Sequence, residues 1–485
     1  ALLPYLSSFG TFSPSFFLQP RLGPSCRSVQ LSALLRRRTN FKMSGQSSSD
    51  PASPDNQLTQ EEVRILQEQR LLYPTPITNK RKVSIALLSP PQSDTSGSSS
   101  SSPSHSVRFR SFSSNLDRTF LIPSSLESVA ALEFIGFTTD AAAQVYGRFS
   151  NKSSSSPNDL VAFACGHVAR LSHPKVQDMP IASALDLVGI NSQIKAVFLN
   201  SRFDQVRQTQ TLLYWVKDTI TTNYDTLERL QHRLKTSAKL GVAKKQQKRS
   251  KISSATFAPP NFAGPVATSG RDWEVETSPP LLPNHTMLYK GKSAERMFAE
   301  WIEEDGSLYM PAIASATNGD FNSFENAFYF SPERDTAELY RQWAEERCQY
   351  SESWIIRVQL FNTFTETLSR EDLWFGPDFR EYVWRCRKGL PVPSKPSFEK
   401  YTAADLLVGH VTRQPQLARM KPENVQTNFI EDMLVRINGG STKSTQWALR
   451  YRTGERLAEI KGKIYIEIFA PLQQQGVQDE GEKSG

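Results

Sequence analysis

Between residues 124 and 234 apolar positions recur every three or four residues in short runs, each closed by a helix breaker. Ser124 and Glu127 have capping-box spacing, and apolar residues from Leu126, Val129 and Ala130 through residues 132–135 recur at helical spacing until Gly136. A second helix is expected after Thr139. A third, capped by Asn158, carries Val161, Phe163, Ala164 and Val168, and a fourth spans 181–188. From Asp204 onward Val206, Leu213, Val216, Ile220, Tyr224, Leu227, Leu230 and Leu234 keep the spacing, which predicts one long amphipathic helix. Residues 239–251 end it with Lys244-Lys245-Gln246-Gln247-Lys248-Arg249-Ser250-Lys251. No apolar face survives there and like charges oppose packing, so the run is expected to be solvated. It serves either as a charged exit from the helix or as a nuclear import signal or weak contact to nucleic-acid phosphate.

The period changes after residue 283. Thr286-Met287-Leu288-Tyr289-Lys290-Gly291 reads as a strand ending at glycine, followed by a helix from Ser293 through Phe298 and Trp301. Asn326-Ala327-Phe328-Tyr329-Phe330-Ser331 is a second, aromatic strand; Pro332 breaks it, and a helix carries Ala337, Tyr340 and Trp343. Residues 353–361 alternate as a third strand. Residues 446–451 and 464–469 form a later pair flanking a short helix with Arg456, Leu457 and Ile460. These elements predict an antiparallel-leaning α+β sheet.

The rest of the chain is polar. Residues 44–106 are Pro-studded and end near a serine tract at 98–102, with one helical stretch at 59–70, and residues 253–283 are rich in Pro and Gly. Thirty prolines and a mean hydropathy of -0.45 fit long segments that bury too little apolar surface to offset their ordering entropy. The expectation is a multidomain chain of 485 residues: a disordered region at 1–106, an all-α module at 107–238, a basic and Pro/Gly-rich linker at 239–283, an α+β domain at 284–472 and a disordered tail at 473–485.

Charge and cysteine usage narrow the function classes. The excess of 57 Lys and Arg over 49 Asp and Glu gives +8, a mild attraction toward phosphate-bearing partners. Four cysteines lie far apart with no CxxC pair, which argues against a disulfide scaffold or a zinc ribbon and for a reducing compartment, nucleus or cytoplasm. No stretch of 18 apolar residues is present, so no membrane-spanning helix is expected. Residues 1–49 hold no acid but carry Arg21, Arg27 and Arg36-Arg37-Arg38, as a mitochondrial presequence would; Met43 offers another start, which would make residues 1–42 a gene-model artefact.

Taken in order, Tyr289-Lys290-Gly291, Tyr329-Phe330 with Tyr340 on the next helix, and Gln446-Trp447-Ala448-Leu449-Arg450-Tyr451 resemble the ADP-ribosyltransferase superfamily. The likeness is to its poly-ADP-ribose-polymerase-like branch and to related fungal and microbial domains of unassigned function, and it covers residues 284–472. The resemblance implies an ADP-ribosyltransferase-like α+β fold and a site for NAD as substrate, with a protein or nucleic-acid acceptor. By resemblance Tyr289, Lys290 and Gly291 would hold the ribose and carboxamide ends, Tyr340 would stack on the nicotinamide, Tyr329 would be among the cofactor-binding residues, and Gln446 would touch the ribose that is attacked. Two positions depart from the family pattern: Lys290 stands for His and Gln446 for Glu. An arginine-bearing branch begins with Tyr-Arg-Gly, but its Ser-Thr-Ser strand and Glu-x-Glu loop have no counterpart here.

The chemistry shows why those departures matter. Breaking the nicotinamide–ribose bond builds positive charge on the sugar, which an enzyme meets by clamping the leaving ring and placing electron-rich groups beside the ribose. A tyrosine face stacks on a pyridinium, and a glycine lets backbone approach. A carboxylate at 446 would hold a ribose hydroxyl and stabilise the cation; a glutamine holds the hydroxyl without the charge, so the expectation is weak transfer or none. Without the resemblance the same tyrosines read as core and Lys290 as a surface lysine.

Other constellations are poorer. Cys165, His167 and His173 lack a fourth zinc ligand, and Cys165 falls on an apolar helix face, so core packing is expected. Gly439-Gly440-Ser441-Thr442-Lys443-Ser444 misses phosphate-loop spacing and reads as a turn. Leu132-Glu133-Phe134-Ile135-Gly136-Phe137 resembles the first loop of ubiquitin-binding three-helix modules, a pattern that helical hairpins also produce.

Overall fold

Short helices with strong caps build the first half of the chain in the computed structural model, which describes residues 58–88, 105–109, 119–152, 159–253, 280–293, 310–459, 463–469 and 471–472. Helix α1 (Gln60–Glu68) carries a complete capping box from Thr59 and Glu62. It leads into strands β1 (Leu72–Tyr73) and β2 (Lys80–Ser84), which join β4 (Thr119–Pro123) in an antiparallel sheet of order β1-β2-β4. β3 (His105–Phe109) lies elsewhere, parallel to the last strand of the chain. The polar stretch expected to be disordered through 106 therefore holds ordered structure at 58–88 and 105–109. Its few apolar residues explain why: Ile65, Leu66, Leu72 and Val83 are buried, and all but Ile65 belong to the main helical core.

That core is made by α2 (Val129–Phe134), α3 (Thr139–Ser150), α4 (Leu160–Val168), α5 (Ile181–Leu187), α6 (Ser192–Leu199) and α7 (Leu212–Ser253). The caps sit slightly off the expected positions: Ser128 rather than Ser124 caps α2, and Asp159 rather than Asn158 caps α4. The long helix is interrupted too. Asp204–Arg207 is a separate turn, and Thr211 restarts the chain by accepting from Tyr214 N. α7 then continues well past Lys239. Ala238 is buried, a side chain on Gly241 would run into Ile65 and Gln69, and Lys245 pairs with Glu61 at 3.7 Å and Glu68 at 3.4 Å. Helix α1 thus brings two acids to Lys245, whose side chain stays 34% exposed.

Two helix–loop–helix units share one pattern, Ile135-Gly136-Phe137-Thr138 between α2 and α3 and Val188-Gly189-Ile190-Asn191 between α5 and α6. Both glycines have positive φ (124° and 68°), a region L side chains rarely enter. The loops clasp each other: Thr138 N donates to Gly189 O at 2.8 Å and Asn191 N to Gly136 O at 2.9 Å, around a Phe137–Ile190 bridge.

The second half is mixed α+β. One sheet runs β3-β11-β7-β5, with β5 (His285–Ser293), β7 (Ser353–Phe361) and β11 (Lys463–Phe469) antiparallel and β3 parallel to β11. The other runs β6-β10-β9-β8, from β6 (Ala327–Phe330), β8 (Arg370–Leu373), β9 (Leu406–His410) and β10 (Thr445–Arg450), antiparallel except for the β8–β9 pair. They meet where Tyr289 and Ser331 exchange backbone bonds of 2.7 and 2.8 Å.

Period-two alternation divides the faces. Leu288, Phe328, Phe330, Trp354, Ile356, Val408, Trp447 and Leu449 fill a core between the sheets. Tyr329, Leu407 and Ala448 turn to the opposite side, against α9 (Pro377–Lys388) and α10 (Pro396–Ala403) through Phe379, Tyr382 and Phe398. Helix α8 (Arg334–Arg347) packs on β5, and α11 (Tyr451–Glu459) follows β10. β5 runs on through Ser293, where a helix toward Trp301 is expected to begin, and the rest of that helix lies outside the described residues. Among the described residues no helix is long and apolar enough to cross a membrane.

Candidate functional site

Three of the sequence-predicted residues meet around an aspartate that the sequence did not advertise. Asp320 sits in the loop before β6. That loop is folded around Asn322, whose Nδ2 donates to Ala316 O and Glu325 O while its Oδ1 accepts from Gly319 N and the Tyr329 hydroxyl. Asp320 is only 3% exposed, and four bonds surround its carboxylate. Oδ1 accepts from Arg387 Nε at 2.6 Å and Thr412 Oγ1 at 2.5 Å, and Oδ2 from Thr412 N at 3.0 Å and Gln446 Nε2 at 2.8 Å. Arg387, from α9, also donates to Thr209 O at 2.7 Å and to Thr412 Oγ1 at 3.1 Å, so the helical half of the chain closes the hub. A buried ion pair survives when hydrogen bonds satisfy both partners, and here the carboxylate is satisfied on both oxygens.

Gln446 and Tyr329 reach the hub from the same face of their sheet, the one carrying Ala448 and Leu407. Gln446 is 6% exposed, and Nε2 makes a second bond of 2.8 Å to His410 O, so both amide hydrogens are used. Tyr329 accepts from Phe321 N at 2.8 Å; burial, reinforced by the Asp320 charge, pushes its phenol well above the ordinary range. Tyr340 comes from α8, its hydroxyl bonded to Thr209, and burial with Asp320 nearby raises it to about 12. Both phenols are neutral hydrogen-bonding groups at physiological pH.

The first motif is placed differently. Lys290 shares the face of Leu288, toward the inter-sheet core, where Nζ donates to Ser315 Oγ at 3.2 Å and Tyr329 O at 3.3 Å. Gly291 and Tyr289 face the other way, toward α8, and Tyr289 lies 6.0 Å from the Arg357 guanidinium. A Cβ on Gly291 would stand 1.8 Å from Ala337 O, so the space its missing side chain leaves is filled by the α8 backbone. The glycine serves strand–helix contact there, where the sequence reading had backbone approaching a ligand carboxamide.

Of the remaining candidates, Cys165 is buried with Sγ 3.8 Å from Thr221 Oγ1, and His167 Nε2 lies 3.2 Å from Val188 O. No group of three metal-ligating side chains comes together among the described residues. Asp320, Arg387 and Thr412 were missed because each becomes meaningful only through partners far away in sequence. One local signal existed for Arg387: Pro377 at the helix start and Gly389 at its left-handed end mark out α9.

Compared with protein-family profiles, curated proteins and solved structures, the chain matches none.

Proposed function

We propose that residues 280–472 are a non-catalytic relative of the ADP-ribosyltransferases, a fold of that type whose sugar-facing position has been rebuilt as part of a structural hub, and that the chain works as a binding module. The observation that carries this is the company of Gln446. Its amide nitrogen faces two acceptors, Asp320 Oδ2 and His410 O, each at 2.8 Å. A carboxylate there would meet a second carboxylate and a carbonyl oxygen with no donor between them, so the surroundings select the amide. An amide leaves the developing ribose cation without a counter-charge. The likeness in the order of the strands, and the joining of the sheets at Tyr289 and Ser331, support the fold part of the reading.

The full chain, incubated with NAD and nuclear extract as acceptor, should release no more nicotinamide than the Tyr340→Ala variant. Release above that control would restore the enzyme reading. The binding part rests on the basic run after Lys239: duplex DNA or RNA should bind with an affinity that falls steeply as salt rises, and salt-independent binding would argue against it.

A further inference from the structure

Where the last turn of α3 meets the end of α4, two arginines converge on one histidine. His167 is 3% exposed, its ring edge-on to Phe137 and its Nε2 3.2 Å from Val188 O. Arg148, in the last turn of α3, brings Nη2 to Nδ1 of that ring. Arg170, in the turn that follows α4, brings Nη2 to Nε2 at 2.8 Å. Burial, with the two charges beside it, lowers the imidazole to about 4, so near neutral pH it is uncharged and has one lone-pair nitrogen for two cationic donors. With the ring proton on Nε2, where it serves Val188 O, Nδ1 accepts from Arg148 and Arg170 points an N–H at an N–H. The other tautomer leaves Arg148 unmet instead. No acid relieves the conflict: among the described residues neither guanidinium has a carboxylate within ion-pair distance, and the other bond of Arg170 runs from Nε to His167 O at 3.3 Å. Asp186, two residues before Val188, is taken by Lys195 at 2.6 Å. Both arginines are exposed, so a solute can reach them.

The chemistry of the occupant follows from this shortage of acceptors. A carboxylate has two oxygens and one charge, which a single guanidinium fork satisfies. A phosphate monoester has three free oxygens and close to two charges, enough for two forks standing on neighbouring nitrogens of one ring, whereas a diester has one charge. Each arginine also lies at the end of a helix, where a cation answers the dipole. That role asks for one cation at each helix end and gives no reason for both to share a ring. We propose that Arg148 and Arg170, backed by His167, form a binding site for a phosphate monoester dianion. The site is separate from the basic run after Lys239 and from the hub at Asp320.

Phenyl phosphate, dimethyl phosphate and acetate, titrated into the full chain at about pH 8 where the monoester is a dianion, test this by calorimetry and NMR. Phenyl phosphate should bind with a Kd on the order of 1 mM, and the diester and acetate at least about tenfold more weakly. The His167 ring signals, assigned by their loss in His167→Gln, should move as phenyl phosphate is added. Arg148→Gln and Arg170→Gln should each weaken its binding at least about tenfold. A cation serving a helix end alone would move the melting temperature and leave the affinity untouched. Should Arg170→Gln fail to fold, Arg170→Lys keeps the charge, loses the fork and should still weaken binding. Lys248→Gln with Arg249→Gln should leave the affinity unchanged, which separates this site from the nucleic-acid reading. Ribose 5-phosphate and a phosphoserine peptide of otherwise neutral sequence, as further arms, distinguish a soluble sugar phosphate from a modified protein, the tighter of the two naming the source. No binding at about 10 mM phenyl phosphate, equal binding of the diester, affinity indifferent to both arginines, or unmoved His167 signals would overturn the proposal.

Discussion

Gln446 shows how a single residue's identity follows from its neighbours. The sequence presents it as the glutamine that replaces a family glutamate, but it cannot present the two acceptors 2.8 Å from its amide. Gln446→Glu would place a carboxylate against Asp320, so the variant either carries a proton on the pair or loses about 2–4 kcal/mol of stability, the range for a buried charge left without its partner. Chemical denaturation should show that loss near neutral pH and its partial recovery in acid, and nicotinamide release should stay at the level of the parent chain. Wild-type stability at Gln446→Glu would mean that the hub does not constrain this position. His167 makes a second case. Burial, with the Arg170 and Arg148 charges beside it, lowers its pKa to about 4 from 6.5. The folded-state value is depressed, so as pH falls the unfolded chain takes up the proton first. Stability is therefore full above about 6.5 and drains as pH drops toward 4, by up to ~3 kcal/mol. His167→Gln should flatten that part of the stability–pH curve, and an unchanged slope would rule the imidazole out. Cysteine-and-histidine spacing raised zinc here. In the structure the ring instead lies against Val188 O and edge-on to Phe137, contacts with residues that its neighbours in sequence do not reveal.

The elements that could be read from the chain were those whose pattern is local. Strands β5, β6, β7, β10 and β11 are short runs carrying aromatic or β-branched residues, with alternation in β7, and could be placed nearly to their ends, as was α8 after Pro332. β8, Arg-Glu-Asp-Leu, is an edge strand whose one apolar residue is Leu373, and β9, Leu-Leu-Val-Gly-His, shows no alternation, so neither stands out as a strand. The basic end of α7 reads as solvated, and the Lys245 side chain is 34% exposed there. What composition hid is its neighbour, since α1 brings Glu61 and Glu68 to Lys245 from a segment that composition marks as linker. The repeated Gly-Phe-Thr and Gly-Ile-Asn loops were legible but only as punctuation, since their mutual bonds need both hairpins at once. Contact between elements also sets the meaning of Gly291. The nearest atoms to its missing Cβ are Ala337 O at 1.8 Å and Arg341 N at 2.8 Å, both backbone, which cannot rotate away as a side chain would. Gly291→Ala should therefore push β5 from α8 and cost about 3 kcal/mol, the upper end of overpacking in a core, read as a lower urea midpoint at unchanged slope. A shift under about 0.5 kcal/mol would show that the helix yields.

At the scale of the molecule, the two halves that composition separates share their interior. Trp343 belongs to α8 of the α+β half, yet its ring lies 5.2 Å from Phe198, 5.3 Å from Phe203 and 5.8 Å from Trp215, all in the helical half. Around it Arg347 pairs with Asp218, Arg229 donates to Ser351 Oγ at 3.1 Å, and Arg233 reaches Glu352 at 3.4 Å. The buried hub repeats the arrangement, since Thr209 supplies the carbonyl that Arg387 needs. Separating the halves would expose an entire aromatic face and strand several arginines whose partners lie across the boundary. The domain boundary at 239–283 marks a change in hydrophobic period, and a change of period need not be a change of folding unit. The consequence can be measured. The chain should unfold in one thermal transition, and Trp343→Ala should move that single transition as a whole, by the ~3–5 kcal/mol typical of removing a buried tryptophan. Residues 280–472 expressed alone should lack a cooperative melt and bind a hydrophobic dye, and co-expression with residues 57–253 should restore the transition, because the second piece returns the phenylalanines, Trp215 and Asp218 that α8 requires. A fragment of residues 280–472 that melted cooperatively on its own would show instead that the sheets and their two cores suffice, with Trp343 an ornament of the contact and not its keystone.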